Sequence, residues 1–205
     1  KILVVTNCVS KKAIVRNTDS KYPLQVLNHG QFYEGRGYDT LLDVAPLIKD
    51  LTDVRIVLRG FGKLEQSIRT KVEENHISNL LIEPPVKVYE LIPKAAEAWI
   101  GVAITEAISL NFELSVSNKL FEYAAAGLPV IMSDIPEHRY LNNKYKFGII
   151  LKNNSPQDIA DAIRLLHNNR ELFEECRRNA YIFAEHVNWE TEFGRLVEFE
   201  KQVNN

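Results

Sequence analysis

One stretch of the sequence carries most of its information about function: Ser117-Asn118-Lys119-Leu120-Phe121-Glu122-Tyr123-Ala124-Ala125-Ala126-Gly127-Leu128-Pro129-Val130-Ile131. A polar loop leads into a short helix, and Gly-x-Pro ends that helix and begins an apolar strand. Free N–H groups at a helix N-terminus bind anions, and Glu122 lies close enough to hold a hydroxyl beside one. The stretch therefore predicts a site for a nucleoside diphosphate with its ribose. An ordinary loop–helix–strand unit with a capping residue is the alternative.

Composition narrows the class of protein. The chain has 205 residues, is 45% hydrophobic and carries a formal net charge of -2. This length suits one α/β domain, or a domain with an appendage, with an ample core. The charge gives no basic field for nucleic acid, and no apolar run approaches the roughly 20 residues of a membrane span. Cys8 and Cys176 form no metal or disulfide pattern, which fits a reducing compartment.

Apolar strands alternate with helices along most of the chain. The pattern predicts strands at 1–6, 24–29, 54–58, 80–82, 99–104, 130–132 and 147–151. It predicts helices at 38–49, 64–72, 87–96, 118–126, 136–142, 156–166, 170–185 and 190–203, with 105–117 as a loop. The apolar residues of the last helix are expected to face inward: Phe193, Leu196, Val197 and Val203. Such alternation indicates an α/β fold, with a doubly wound, Rossmann-like parallel sheet in three α/β/α layers and extra C-terminal helices.

Ligands of open parallel sheets bind beyond the carboxyl ends of the strands. Three such ends carry candidate residues: Gly30 with Arg36, Gly60 with Gly62, and Glu83 with Pro84. Glycines allow close backbone approach, and the Arg36 guanidinium suits a diphosphate. A solvated arginine and plain turns are the alternatives, and Gly-x-Gly alone is a weak signal.

Neither metal chemistry nor a catalytic triad is predicted. The five histidines show no ligand spacing and no acid or nucleophile partner in the sequence, so each is expected to be structural or at the surface: His29, His76, His138, His167 and His186. Glu106 and Glu113 are interpreted as solvated acids of the loop.

Taken together, these residues resemble the C-terminal domain of GT-B fold glycosyltransferases, in the large retaining group that uses nucleotide-sugar donors. The resemblance covers nearly the whole chain and is strongest at 117–123 followed by Gly127-Leu128-Pro129-Val130. Gly30 with Arg36-Gly37 is similar to the family's Gly-Arg…Lys-Gly segment, and Gly60-x-Gly62 to its second glycine loop. Asn188-Trp189-Glu190 resembles the start of its last helix, which often returns toward an N-terminal domain.

The resemblance implies a role for each matching residue. Glu122 stands where the family holds the ribose hydroxyls, and Arg36 where a basic residue contacts the diphosphate. The backbone around Ser117, Asn118, Lys119 and Leu120 is expected to cradle the distal phosphate, and Glu83 with Pro84 to meet the base.

The implied reaction transfers a sugar from its nucleoside diphosphate without a bound metal or other cofactor. Arg36, Lys119 and helix N-terminal amides would offset the charge of the leaving group. Two positions depart from the family. Leu114 stands where a first glutamate contacts the donor sugar, with Glu113 one residue away, and Gln31 replaces one basic residue.

Part of the function is expected to lie outside this sequence, which starts at Lys1 without Met. Residues 1–23 are interpreted as an entry strand and linker, 24–187 as the nucleotide-sugar domain, and 188–205 as a helix packing back toward an N-terminal domain. That domain would bind the acceptor, a glycan or lipid-linked glycan of surface polysaccharide or glycoconjugate synthesis. We expect a cytoplasmic location, peripheral at the inner face of the membrane through that domain, and no transfer by the chain alone.

Three other functions compete with this interpretation. The same fold serves as half of a nucleotide-sugar 2-epimerase, but the Lys119–Tyr123 helix and the absence of an epimerase-like His/Glu pattern argue against it. A degenerate domain that binds a nucleotide or a partner without turnover would explain Gln31 and Leu114. A flavodoxin-like regulator lacks support, because the sequence shows no acidic pocket with a phospho-acceptor Asp.

Overall fold

A single parallel sheet organises the part of the chain that the computed structural model describes, residues 2–16, 22–106 and 108–204. Its six strands are Leu24–Gln31 (β1), Val54–Phe61 (β2), Leu80–Glu83 (β3), Ile100–Ala103 (β4), Val130–Met132 (β5) and Gly148–Ile150 (β6). They lie in the order β3-β2-β1-β4-β5-β6, and every neighbouring pair is parallel. The predicted Rossmann-like fold is thus confirmed.

Helices cover both faces of the sheet. They are Tyr38–Leu47 (α1), Glu65–Glu74 (α2), Leu91–Ala95 (α3), Leu110–Leu114 (α4), Asn118–Ala125 (α5), Pro136–Tyr145 (α6), Pro156–Asn168 (α7), Arg170–His186 (α8) and Trp189–Asn204 (α9). Short 3₁₀ turns occur at Lys11–Ala13 and Val88–Glu90. α1, α2 and α7 pack on one face, and α3, α5 and α8 on the other.

The strands supply both hydrophobic layers because successive side chains point to opposite faces. In β1, Val26 packs with the α1 and α7 layer, whereas Leu27 packs with the α5 and α8 layer. A sheet buried on both faces needs apolar residues at every central position. This explains the continuous apolar runs of the sequence.

The expected strand at 1–6 is wrong for its described residues. Residues 2–10 have no regular secondary structure, and Ile2 is 93% exposed. The Thr6 N–H donates to the Glu192 carboxylate of α9 at 2.9 Å, and the Val15 N–H to the Ala125 carbonyl of α5 at 2.9 Å. β-Propensity without a neighbouring strand to pair with does not make a strand. The segment instead crosses the α5, α8 and α9 side of the domain, and 17–21 lie outside the described residues.

Two further expectations need correction. The predicted loop 105–117 contains α4, whose N-cap Ser109 accepts a hydrogen bond from the Phe112 N–H. The apolar residues of α9 do not all face inward, because Phe193, Leu196 and Val203 are exposed and only Val197 is half-buried. Periodicity identifies an apolar face of a helix but does not tell what covers it.

Candidate functional site

The sheet opens a crevice between β1 and β4. β1 pairs with β2 through to Gln31, but with β4 only at Val26 and Leu27. Beyond that point the Asn28 side-chain amide donates to the Val102 carbonyl at 3.2 Å, and the His29 N–H donates to the Tyr123 hydroxyl at 3.0 Å. These two bonds satisfy backbone groups that a longer β1–β4 ladder would have paired.

The resulting cleft has a volume of about 530 Å³. Its walls are the end of β1 with the loop that follows, and the loop, α4 and first turns of α5 opposite. The lining residues are His29, Gly30, Gln31, Tyr33, Glu34, Arg36, Ile108, Phe112, Ser115, Val116, Ser117, Asn118, Lys119 and Glu122. The structure therefore brings together six of the predicted site residues: Gly30, Arg36, Ser117, Asn118, Lys119 and Glu122.

The α5 helix begins in this cleft with open backbone donors. Ser117 is its N-cap, but the Ser117 side chain makes no capping hydrogen bond. The Ser117 N–H donates to Nε2 of buried His138 at 3.3 Å, and burial lowers the pKa of His138 to about 4, so this ring is a neutral acceptor. The Asn118 and Lys119 N–H groups have no acceptor within the helix. These two amides are the donors that an anion would meet.

Lys119 is a buried cation beside the end of β1. The residue is only 8% exposed, and a Cβ added to Gly30 would lie 3.5 Å from its Cε. Burial and, to a smaller extent, the charge of Arg36 lower the pKa of Lys119 to about 8, against the opposing effect of Glu122. Within the described part of the chain, the Lys119 ammonium has no hydrogen bond or ion pair. A buried charge without a partner is costly, so this position favours an anionic ligand.

Arg36 approaches the same space from the loop after β1. Its guanidinium lies over the Phe112 ring of α4, 4.6 Å from the ring centre. The stacking orients the planar cation while leaving its N–H groups available for oxygen ligands. Sequence reasoning missed Phe112 because it treated 105–117 as a loop. The Ser109 cap three residues earlier was the available signal.

Glu122 faces the cleft one turn after Lys119. Its Oε2 lies 2.7 Å from Nε2 of His29, and its side chain is 20% exposed. Burial lowers the pKa of His29 more than the Glu122 hydrogen bond raises it, so the contact joins a neutral imidazole N–H to the carboxylate. The sequence shows no acid partner for any histidine, but in the structure His29 has one, as does His167, whose Nε2 lies 3.1 Å from the Asp53 carboxylate. The His29–Glu122 pair spans 93 residues of sequence, so no local spacing could have revealed it.

The remaining predicted site residues lie outside the residues that line the cleft. A Cβ on Gly60 would lie 1.8 Å from the Gly30 carbonyl oxygen, so this glycine permits the close approach of β2 to β1. Gly62 similarly abuts the Phe32 backbone, and Leu120 is fully buried in the core. Glu83 accepts a hydrogen bond from Arg59 at 2.8 Å, and the adjacent Pro84 is exposed. Contact of these residues with a ligand stays a prediction.

The two departures from the family pattern also have a place in the structure. Leu114 and Glu113 lie on α4, where both are exposed and neither lines the cleft. Gln31 is exposed at the end of β1 and does line it. Glu106 is half-buried, and its N–H donates to the Gly35 carbonyl at 3.0 Å.

Metal ligands and membrane-spanning helices bear on the possible partners of the chain. No group of three or more His, Cys, Asp or Glu side chains is placed to hold a metal ion in the part of the chain that is described. No helix in residues 2–16, 22–106 or 108–204 is long and apolar enough to cross a membrane.

Comparison with known proteins gives the same fold and a family. The profile of the family described as "Glycosyl transferases group 1" matches residues 10–183. An uncharacterized glycosyltransferase of Methanocaldococcus jannaschii is 26% identical over an alignment of 199 residues, which covers 92% of this chain and 50% of the relative. This chain therefore spans about half the length of the curated relative it matches.

Solved structures share the architecture at low sequence identity. The pneumococcal O-GlcNAc transferase GtfA, solved with UDP and GlcNAc, has a TM-score of 0.77 at 16% identity over 100% of this chain and 40% of its own. The C-terminal domain of the group 1 glycosyl transferase LpcC from Francisella tularensis has a TM-score of 0.68 at 17% identity, over 86% of this chain and 96% of its own. These likenesses confirm a GT-B C-terminal fold.

Proposed function

The chain belongs to the group 1 glycosyl transferases, and we propose that it is the donor-binding half of an enzyme that transfers a sugar, with retention, from a nucleoside diphosphate sugar. One observation carries the proposal. Lys119 is a buried and unpaired cation that shares a cleft with Arg36 and with the open amides of α5. Three kinds of donor for an anion converge there, with the Glu122 carboxylate one helical turn away.

The diphosphate is proposed to lie between Arg36 and the start of α5. The N–H groups of Asn118 and Lys119 point along the helix axis toward the cleft, where the helix dipole also favours negative charge. As the sugar leaves, charge grows on the terminal phosphate oxygen. Cations and amides that are already in place stabilise the transition state, where this charge develops, more than they stabilise the ground state. Arg36 and Lys119 are thus the proposed catalytic residues for the leaving group.

Glu122 is proposed to accept hydrogen bonds from the ribose hydroxyls. Among the described residues its Oε1 accepts no hydrogen bond, whereas Oε2 is held by His29. In the proposal Glu83, Pro84 and the Gly60–Gly62 loop lie farther along the same sheet edge, where the base would extend. A UDP donor is the first choice, since a solved structure with this fold contains UDP.

The acceptor is proposed to bind a further domain, N-terminal to this one. We propose that the activity of the whole protein needs this further domain, and the proposal is supported by the chain spanning about half of its curated relative. The exposed apolar face of α9, with Phe193 and Leu196, would pack toward that domain. We propose a glycan or lipid-linked acceptor of surface polysaccharide or glycoconjugate synthesis, and a cytoplasmic location beside the membrane.

A second function is favoured by one observation. Leu114 offers no polar atom to a donor sugar and lies outside the cleft lining, so a domain that binds a nucleotide without turnover is the alternative. Transfer activity of the longer protein, with and without Glu122→Ala, separates the two functions.

Calorimetry with UDP, GDP and ADP tests donor binding by the purified chain. We expect one of them to bind, and Glu122→Ala to weaken that binding about tenfold or more, because a hydrogen bond to a charged group contributes about 1.5–3 kcal/mol. Glu73→Ala, at an exposed position on α2, is the matched control. Absence of binding by all three nucleotides would contradict the proposal. So would equal affinity of Glu122→Ala and Glu73→Ala for the nucleotide that binds.

A further inference from the structure

His29 is a buried polar side chain in the lining of the cleft, and the proposed reaction leaves it without a role. The residue is 1% exposed and lies at the bottom of the cleft, at the point where β1 separates from β4. A polar ring in such a place costs free energy unless its nitrogen atoms are hydrogen-bonded. Here Nδ1 has no partner within the described residues, so the ring is retained at a cost.

The other ring nitrogen makes a short bond to the cleft. Nε2 lies 2.7 Å from Glu122 Oε2. The imidazole packs on the Tyr123 ring, 4.6 Å away centre to centre, and the backbone N–H of His29 donates to the Tyr123 hydroxyl. The donor is therefore fixed by a strand on one side and by a helix on the other.

A single hydrogen bond at this position determines which oxygen Glu122 offers to a ligand. A glutamate has three side-chain torsions, and a half-exposed one samples several rotamers. With Oε2 held by His29, the carboxylate stays in the lining of the cleft and Oε1 is left for a ligand hydroxyl. We propose that His29 is a positioning residue, which holds Glu122 in the orientation that recognises the ribose 2′-hydroxyl of the donor nucleotide. This inference rests on the proposed donor-binding function.

Discrimination between UDP and 2′-deoxy-UDP tests the inference. If GDP or ADP is the better ligand, that nucleotide and its 2′-deoxy form replace them. We expect the wild-type chain to prefer the ribonucleotide about tenfold, and Glu122→Ala to remove the preference. His29→Leu removes the donor but keeps an apolar side chain, so we expect it to lower the preference to about threefold or less while 2′-deoxy-UDP binds as before.

Rescue separates positioning from a purely structural role. His29→Gln retains an N–H donor that reaches the carboxylate, so we expect it to restore most of the preference, although both variants alter the packing around Tyr123. Denaturant unfolding of each variant checks that it folds. If His29→Leu fails to fold, His29→Gln still tests the inference. Its preference for UDP over 2′-deoxy-UDP must then exceed that of Glu122→Ala.

The outcomes of the test are distinct. A full preference in a folded His29→Leu, or none in a folded His29→Gln, would overturn the positioning role. If the wild-type chain prefers UDP and Glu122→Ala does not, the donor site stands whatever the His29 variants show. If the wild-type chain binds none of the nucleotides, or shows no preference that Glu122→Ala removes, the proposed ribose site fails and the role of His29 fails with it.

Discussion

Replacing Lys119 by Met is expected to make the folded chain more stable while weakening nucleotide binding. The Lys119 stem packs beside Gly30, and Met has a similar length and shape, so the substitution preserves most apolar contacts. What it removes is the ammonium group of a residue that is only 8% exposed and makes no hydrogen bond or ion pair among the described residues. Removing a buried, uncompensated charge favours the folded state.

The size of the gain follows from the pKa of Lys119. Folding lowers this pKa from 10.5 to about 8, mainly through burial. At about 1.4 kcal/mol per pH unit, the difference corresponds to about 3 kcal/mol at pH 7. Because the unfolded chain binds more protons between the two pKa values, wild-type stability rises with pH there. The advantage of Lys119→Met should therefore shrink by about 2 kcal/mol between pH 7 and pH 9.5.

Urea unfolding at the two pH values measures both quantities. Lys152→Met, at an exposed position, is the control, and we expect it to change stability by less than about 0.5 kcal/mol at either pH. The reasoning is refuted if Lys119→Met is less stable than wild type at pH 7, or if its advantage does not depend on pH. Calorimetry on the same variant should show that UDP binding is weakened.

Three other predictions concern pH, packing and activity. Nucleotide affinity of the wild-type chain should fall about tenfold from pH 7 to pH 9, because Lys119 loses its charge through a pKa of about 8; an equal fall in Lys119→Met would contradict this cause. Gly101→Ala should destabilise the chain by about 1–3 kcal/mol in urea unfolding, because the new Cβ would lie 2.3 Å from the Tyr123 ring. Gly194→Ala on α9 should not be destabilising, because nothing lies within 4 Å of the new Cβ. An equal loss of stability in Gly101→Ala and Gly194→Ala would refute the packing argument. The chain alone should transfer no sugar in a radiolabelled-donor assay, and measurable transfer would overturn the need for a further domain.

The sheet could be predicted from sequence because each strand is a short apolar run and each helix begins or ends at a polar or glycine-containing turn. Helix α7, for example, begins at the capping residue Ser155, as its Ser-Pro start indicates. A polar residue before an apolar helix likewise predicted Ser117 at the start of α5 and Glu122 within it. The sheet topology then places Gly30 and Arg36 beside them. Local sequence and the known handedness of crossovers therefore suffice for β1 and α5, but not for α4, which lies in the predicted loop 105–117.

Contacts between side chains that are distant in the sequence could not be predicted. His29 and Glu122 meet because β1 and α5 pack across the sheet, and neither residue carries a local pattern that indicates the other. Arg36 stacks on Phe112 only because α4 exists, and the apolar segment at 2–6 follows α9 because no strand pairs with it. These contacts depend on packing, which residue propensity does not encode.

The Tyr123 ring also keeps β1 and β4 apart at the cleft. This ring occupies the space above Gly101, and its hydroxyl meets the His29 amide where β4 no longer reaches. The separation of β1 from β4 is thus set by a rigid phenol ring, a spacer of fixed length. A ligand entering this end of the cleft need not spread the two strands apart. The entropy lost on binding falls mainly on the ligand, which is the thermodynamic advantage of a preformed site.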